Sequence, residues 1–271
     1  MTSLTVAAVQ SRLYPKDEAR ATREAVKLVR RAAELRSARL VCLPEHWLIE
    51  KILSGDDDPL YGTFQDLARS LDIYVNLGGI FQRMGEATFF LSPTISPEGK
   101  VISKQKKVHL FRRENELAIG GDYFEPFKID EITTGVMVCH DVVFPESART
   151  LVLKGSELLL NPSLITAQGI GPWRSYLIAR ALENRVPIVA PNPYLGARVP
   201  GKSELLGLSY KKPQGIMLVR ELVKPDSGAR VYVANLAFDD EAAALRRERL
   251  SERQPKAYFK DQGAIPGASF Q

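Results

Sequence analysis

Apolar and polar positions alternate along the chain in a way that predicts strands and helices in turn. Leu4–Gln10 is an apolar, β-rich run, and Asp17–Glu34 follows with Ala21, Ala25, Leu28, Val29 and Ala32 at helical spacing. Arg39–Leu43 has the pattern of a short buried strand. A helix is expected over Gly62–Leu71 and a strand over Ile73–Ile80. The runs Thr88–Ser96 and Val101–Lys107, joined by Pro97-Glu98-Gly99, read as a hairpin. Thr133–Cys139 is strand-like, and Pro145–Lys154, with proline in its first turn, reads as the helix after it. Strands are expected at Ser156–Asn161, Ile188–Ala190, Ser209–Val219 and Ala229–Leu236, and helices at Trp173–Arg185 and Asp239–Arg253. Repeated strand–helix–strand units argue an α/β architecture. The hairpin pattern argues that its sheets are not purely parallel.

Composition narrows the setting. The chain has 271 residues, 45% of them hydrophobic and 25% charged, which describes a globular protein able to bury a large core. Apolar runs such as Leu4–Val9 are far shorter than the ~20 residues that span a bilayer. That run also has no basic flank before it and no small-residue cleavage site after it, so a cytoplasmic location is expected. The only cysteines are Cys42 and Cys139; they do not form a disulfide framework, and they suit a reducing compartment. Cys42, inside a short apolar run, is expected to pack as a small hydrophobe. The net charge of +5 sits in short clusters, Lys104-Lys106-Lys107, Lys211-Lys212 and Arg246-Arg247-Arg249, with acidic residues between them. No basic face with reading aromatics emerges, which argues against a nucleic-acid partner. Residues 261–271 contain Gly and Pro without any periodic pattern.

Three residues carry candidate chemistry. Cys139 closes the apolar run Gly135–Val138 and precedes His140-Asp141-Val142-Val143-Phe144-Pro145-Glu146, a turn leading into a helix. Ligand sites in α/β sheets lie at the carboxyl ends of strands, although a lone cysteine also packs well in a core. Glu45, in Leu43-Pro44-Glu45-His46-Trp47, follows a strand among apolar neighbours and suits a general base; the competing reading is a surface or capping glutamate. Lys107 ends the second hairpin run and offers a fixed cation to an oxyanion, against the plainer reading of a solvated lysine beside Lys104 and Lys106. A papain-like pair with His109 or His140 fits less well, because His140 adjoins Cys139 and the local motif is missing. A zinc site from His46, His109 and Cys139 has no short-spaced ligand pair.

In the order Glu, Lys, Cys, these residues resemble the nitrilase superfamily of carbon–nitrogen hydrolases. Pro44-Glu45 matches its glutamate motif, Lys107-Val108-His109-Leu110 its lysine motif, and Cys139-His140-Asp141 with Phe144-Pro145-Glu146 its nucleophile motif. Gly78-Gly79-Ile80, Asn161-Pro162-Ser163, Arg180-Ala181-Leu182-Glu183-Asn184, Asn192 and Gln254-Pro255-Lys256-Ala257-Tyr258 match further blocks. Glu114, seven residues before Gly121-Asp122, matches the family's second glutamate. The resemblance implies an α/β fold, a four-layer α-β-β-α sandwich with two mixed β-sheets, in a domain over residues 1–258 with a C-terminal tail at 259–271. It implies no metal, no organic cofactor, and subunits paired through an outer helical layer as a homodimer or larger even-numbered oligomer. It implies cleavage of a non-peptide C–N bond in a small amide or N-carbamoyl compound through a Cys139 thioester. Glu45 would be the base, Lys107 and the His140 N–H would hold the oxyanion, and Glu114 would orient Lys107, the substrate amide or the water. Members acting on nitriles typically carry Trp-Glu after the cysteine; here the pair is His140-Asp141. Two departures are Phe89-Phe90, where the family commonly has Tyr-Asn, and the loosely similar block Leu205–Ser209. A nitrilase, or a catalytically silent binding module on the same fold, is the alternative.

Overall fold

The computed structural model describes residues 2–49, 51–212, 214–255 and 257. The expected segments 261–271, Lys256 and Tyr258 lie outside them. The first half runs β1 (Thr2–Gln10), α1 (Glu18–Arg36), β2 (Leu40–Cys42), β3 (Ile52–Leu53), α2 (Pro59–Leu71), β4 (Tyr74–Asn76), β5 (Ile80–Met84), β6 (Ala87–Ile95), β7 (Val101–Lys106) and α3 (Glu114–Leu117). The second half runs β8 (Phe127–Ile129), β9 (Ile132–Val136), α4 (Pro145–Leu153), β10 (Leu158–Leu160), α5 (Ile170–Asn184), β11 (Ile188–Ala190), β12 (Tyr194–Leu195), β13 (Val199–Pro200), β14 (Glu204–Lys211), β15 (Ile216–Glu221), β16 (Arg230–Phe238) and α6 (Asp240–Ser251). A 3-10 turn, Cys139–Val143, joins β9 to α4.

Local signals set the helix ends. Asp17 caps α1 by accepting the Arg20 N–H at 3.0 Å, and Ser37 ends it in a left-handed conformation. Asp58 caps α2 just before Pro59 at its first turn. Asp239 does the same for α6. The apolar row of α1 predicted from its spacing, Ala21, Ala25, Leu28, Val29 and Ala32, is buried.

Among the described residues the strands form an eight-stranded sheet, a six-stranded sheet and a small two-stranded pair. The larger sheet has the order β16-β1-β2-β4-β6-β5-β3, with β7 also on β6. The other is β15-β14-β11-β10-β9-β8. Both are mixed: β1-β2-β4 and β9-β10-β11 are parallel, and antiparallel strands extend each sheet. Three apolar clusters separate four layers. One packs α1 and α2 on the larger sheet. The middle one, with Val6, Leu40, Phe90, Val136, Leu158 and Leu160, fills the space between the sheets. The third packs α4 and α5 on the smaller sheet. A fully buried Leu or Phe contributes about 1.5–3 kcal/mol, so the middle layer joins the two sheets firmly. The four-layer sandwich is the observed fold. No helix among the described residues is long and apolar enough to cross a membrane.

Some expectations need correction. Ile73–Ile80 is two strands, because Gly78 turns the chain at φ +67° between β4 and β5. Ser209–Val219 is the hairpin of β14 and β15, turning at Gly215 with φ +69°. The strand leading to Cys139 stops at Val136, and Cys139 opens the 3-10 turn instead.

Candidate active site

The carboxyl ends of β2, β7, β9 and β10 converge on one mouth between the sheets. Glu45 lies three residues past β2. Its N–H donates to Ser163 O at 3.2 Å, and the His46 N–H donates to Gly79 O at 2.9 Å. The glycines allow this close passage: a Cβ on Gly78 would lie 1.9 Å from Pro44 O, and one on Gly79 would lie 2.8 Å from both Glu45 Cγ and Phe90 Cε1. Lys107 follows β7 and donates its N–H to Phe90 O at 2.8 Å. Its ammonium passes over the Phe90 ring, 5.1 Å from the centroid.

Cys139 sits at φ +44°, a conformation that costs a side-chain-bearing residue roughly 1–2 kcal/mol. The surroundings hold it there. Its N–H donates to Pro162 O at 2.9 Å. Asp141, wholly buried, accepts the Val138 N–H at 2.9 Å and the His109 N–H at 2.8 Å, and lies 2.9 Å from His109 Nδ1. The His109 ring stacks on Phe144 with centroids 3.8 Å apart. Asp141 and His109 therefore tie the loop carrying the thiol to the loop carrying Lys107.

Charge is concentrated behind the thiol. Lys107 is 0% exposed, and its Nζ lies 2.7 Å from Glu45 Oε1 and 2.8 Å from the Glu114 carboxylate. Glu114 also accepts the Phe111 N–H at 2.7 Å and lies 3.2 Å from His46 Nε2. Glu45 Oε2 accepts the Leu164 N–H at 2.9 Å. Burial alone would push the Lys107 ammonium toward neutrality; Glu45, Cys139 and Glu114 outweigh it and hold its pKa above the ordinary lysine value. Burial pulls Glu114 the other way, and the bonds from His46, Lys107 and the Phe111 N–H keep its carboxyl below the usual glutamate range. Burial, then the Glu45 charge, pushes the Cys139 thiol well up, with Lys107 and the Leu164 N–H opposing. Burial and the neighbouring Glu45 charge therefore favour the thiol over the thiolate, so the sulfur needs a base before it can attack.

The structure brings Glu45, Lys107, Glu114 and Cys139 together and puts the His140 N–H in the first turn of the 3-10 segment. It does not bring either suspected histidine to the thiol: His109 is engaged by Asp141, and the His140 ring lies against Phe111 and Phe144. Cys42 is buried between the sheets, with its sulfur 3.3 Å from Asn76 Oδ1. The ligand set His46, His109 and Cys139 does not assemble. Glu45, His46 and Glu114 do place ligand atoms within 4.8 Å of one another, but the Lys107 ammonium already bridges the two carboxylates, and a metal there would have to displace it. Sequence reasoning missed the contact of His46 with Glu114 and the backbone N–H of Leu164. Position next to Glu45 was a usable signal for the first; a backbone donor leaves none.

Comparison with known proteins agrees with this arrangement. A family model described as carbon-nitrogen hydrolase matches residues 5–219. A nitrilase of Pyrococcus abyssi is 32% identical over 179 residues, 60% of this chain and 64% of that protein. A deaminated glutathione amidase of Mus musculus is 29% identical over 191 residues, 60% of this chain and 58% of that one. The matched stretch thus spans less than two thirds of either relative's own length. The crystal structure of a carbon-nitrogen hydrolase from Helicobacter pylori G27 superposes with a TM-score of 0.80 at 19% identity, covering 96% of this chain and 97% of that chain, so the fold is shared. With the family model spanning most of the sequence and the two-sheet sandwich beneath it, the chain belongs to the carbon-nitrogen hydrolase family.

Proposed function

We propose that the protein hydrolyses a non-peptide C–N bond of a small amide or N-carbamoyl compound through a thioester on Cys139. The observation that carries this reading is a buried ammonium held between two carboxylates beside a buried thiol. Glu45 takes the thiol proton as the sulfur adds to the carbonyl carbon. The oxyanion is met by Lys107, which has one N–H left after Glu45 and Glu114, and by the His140 N–H. As the C–N bond breaks, Glu45 passes its proton to the leaving nitrogen, and ammonia or an amine departs. Water then gives a proton to Glu45 and adds to the thioester; the C–S bond breaks, the sulfur recovers the proton, and the carboxylic acid leaves. One difficult step becomes two easier ones. Lys107 is the fixed cation throughout, so the scheme uses no metal and no organic cofactor. Glu114, anchored by the Phe111 N–H and His46, orients Lys107.

The second reading is a nitrilase, the activity named for the Pyrococcus abyssi relative. A nitrile yields a thioimidate whose nitrogen must be protonated before water enters. Asp141, in the position after His140, is bound to the Val138 and His109 N–H groups and is turned away from that task. A competition assay presenting one acyl group as amide, N-carbamoyl compound and nitrile decides between them. The amide or N-carbamoyl form should show the highest kcat/KM; a nitrile in first place would overturn the assignment.

We further propose a homodimer or larger even-numbered assembly, working in the cytoplasm. The outward row of α5, Gly171, Pro172, Ser175, Tyr176 and Ala179, carries no charge and suits self-association through the helical layer. Both cysteines are free, which suits a reducing compartment. Light scattering at micromolar concentration should give an even multiple of the chain mass; a monomer-mass particle alone would contradict the assembly.

A further inference from the structure

The peptide unit joining Cys139 to His140 is planar, and in a trans peptide its C=O and N–H point in opposite directions. One end is held: Asn161 Nδ2 donates to Cys139 O at 3.3 Å and to Met137 O at 2.8 Å. The other end, the His140 N–H, belongs to the first turn of the 3-10 segment, where N–H groups have no carbonyl within the turn to bond. Holding the carbonyl therefore aims the N–H.

Asn161 is itself held in one orientation. Its Oδ1 accepts Trp173 Nε1–H at 2.9 Å and lies 2.9 Å from Ser163 Oγ. An indole N–H can only donate, so the amide oxygen faces Trp173 and the NH2 faces the two carbonyls. Asn161 is wholly buried, and its backbone N–H donates to Val189 O at 2.8 Å, continuing the sheet past β10. Trp173 is buried in α5, within the outer apolar layer.

We propose that Asn161 is a positioning residue for oxyanion stabilisation: it sets the direction of the His140 N–H, and Trp173 keeps its amide the right way round. The inference rests on the reading of Cys139 as nucleophile and the His140 N–H as oxyanion donor. Donation to Cys139 O also polarises the same peptide unit and strengthens its N–H as a donor. Asn161 acts from behind the Cys139 carbonyl, so its loss falls on turnover and not on substrate affinity.

The test separates oxyanion chemistry from sulfur chemistry. Methyl methanethiosulfonate reaches a thiol by displacement at sulfur, with no carbonyl and no oxyanion. In Asn161→Ala, kcat should fall at least ~10-fold, while KM and the rate of Cys139 modification stay within about twofold, since a lost oxyanion donor costs ~10²–10³ and a misdirected one less. An unchanged kcat, or a parallel fall in kcat and in thiol modification, would overturn the proposal; the parallel fall is what a merely structural role predicts. If Asn161→Ala does not fold, Trp173→Phe removes the indole N–H while keeping a smaller aromatic ring in the outer apolar layer, and is read by the same split. Wild-type protein that never forms an acyl-thioester would instead defeat the underlying reading of Cys139.

Discussion

At the scale of single residues, Lys107 bears the greatest demand. An ammonium without solvent exposure survives only because two carboxylates surround it. Lys107→Ala removes an oxyanion donor and leaves those carboxylates uncompensated. Turnover should fall by at least ~10²-fold, and stability by about 3–5 kcal/mol. Arginine should not rescue it, because a planar fork does not fit where a point charge is gripped from both sides. Measuring kcat and the melting temperature together checks this; a normal rate in a folded Lys107→Ala variant would mean that the lysine has no part in the reaction. Glu45 and Cys139 were legible as candidates in the sequence because each follows an apolar run; Lys107, after the mostly polar run Val101–Lys106, stood out only through its order with the other two and the motif resemblance. The Leu164 N–H and the orientation of the Asn161 amide were not, since neither depends on a side-chain identity that spacing can flag.

At the scale of elements, periodicity located most strands and helices, and α1 with its Asp17 cap shows why: a long amphipathic row and a strong cap agree. It failed where an apolar run hides a turn. Leu77-Gly78-Gly79-Ile80 continues the hydrophobic pattern of β4, yet the chain turns there so that its backbone can pass beneath Pro44 and Glu45. The short β8 and α3 carry too few residues for any period to show. The glycine turn gives a direct test of how the base is placed. Gly79→Ala forces a methyl within 2.8 Å of Glu45 Cγ and the Phe90 ring, so one of them must move. The variant should lose about 1–3 kcal/mol of stability and most of its activity, whereas an alanine at Gly62 in α2, which meets nothing within 4 Å, should leave kcat/KM unchanged. Equal activity in the two variants would show that the β4–β5 turn does not position Glu45.

At the scale of the whole molecule, the pairing of strands far apart in sequence decides what meets what. β1 pairs with β16 along nine residues, Thr2–Gln10 against Arg230–Phe238, and no local pattern announces that. The alternation of elements argued only an α/β class; the four layers and two sheets were legible through the resemblance carried by the ordered motifs. The sandwich brings the chemistry together by facing one sheet's carboxyl ends toward the other's: Glu45 and Lys107 come from the larger sheet, Cys139 and the Leu164 N–H from the smaller. The account therefore stands or falls on the covalent intermediate at that junction. The most direct measurement is the intact mass of the protein, acid-quenched during turnover of an activated amide or ester. The account predicts one acyl group, removable by neutral hydroxylamine as a thioester is, mapping to the peptide that contains Cys139 and absent from a Cys139→Ala variant with the wild-type melting temperature. An acyl group on any other residue, or hydrolysis that persists in that folded variant, would contradict it.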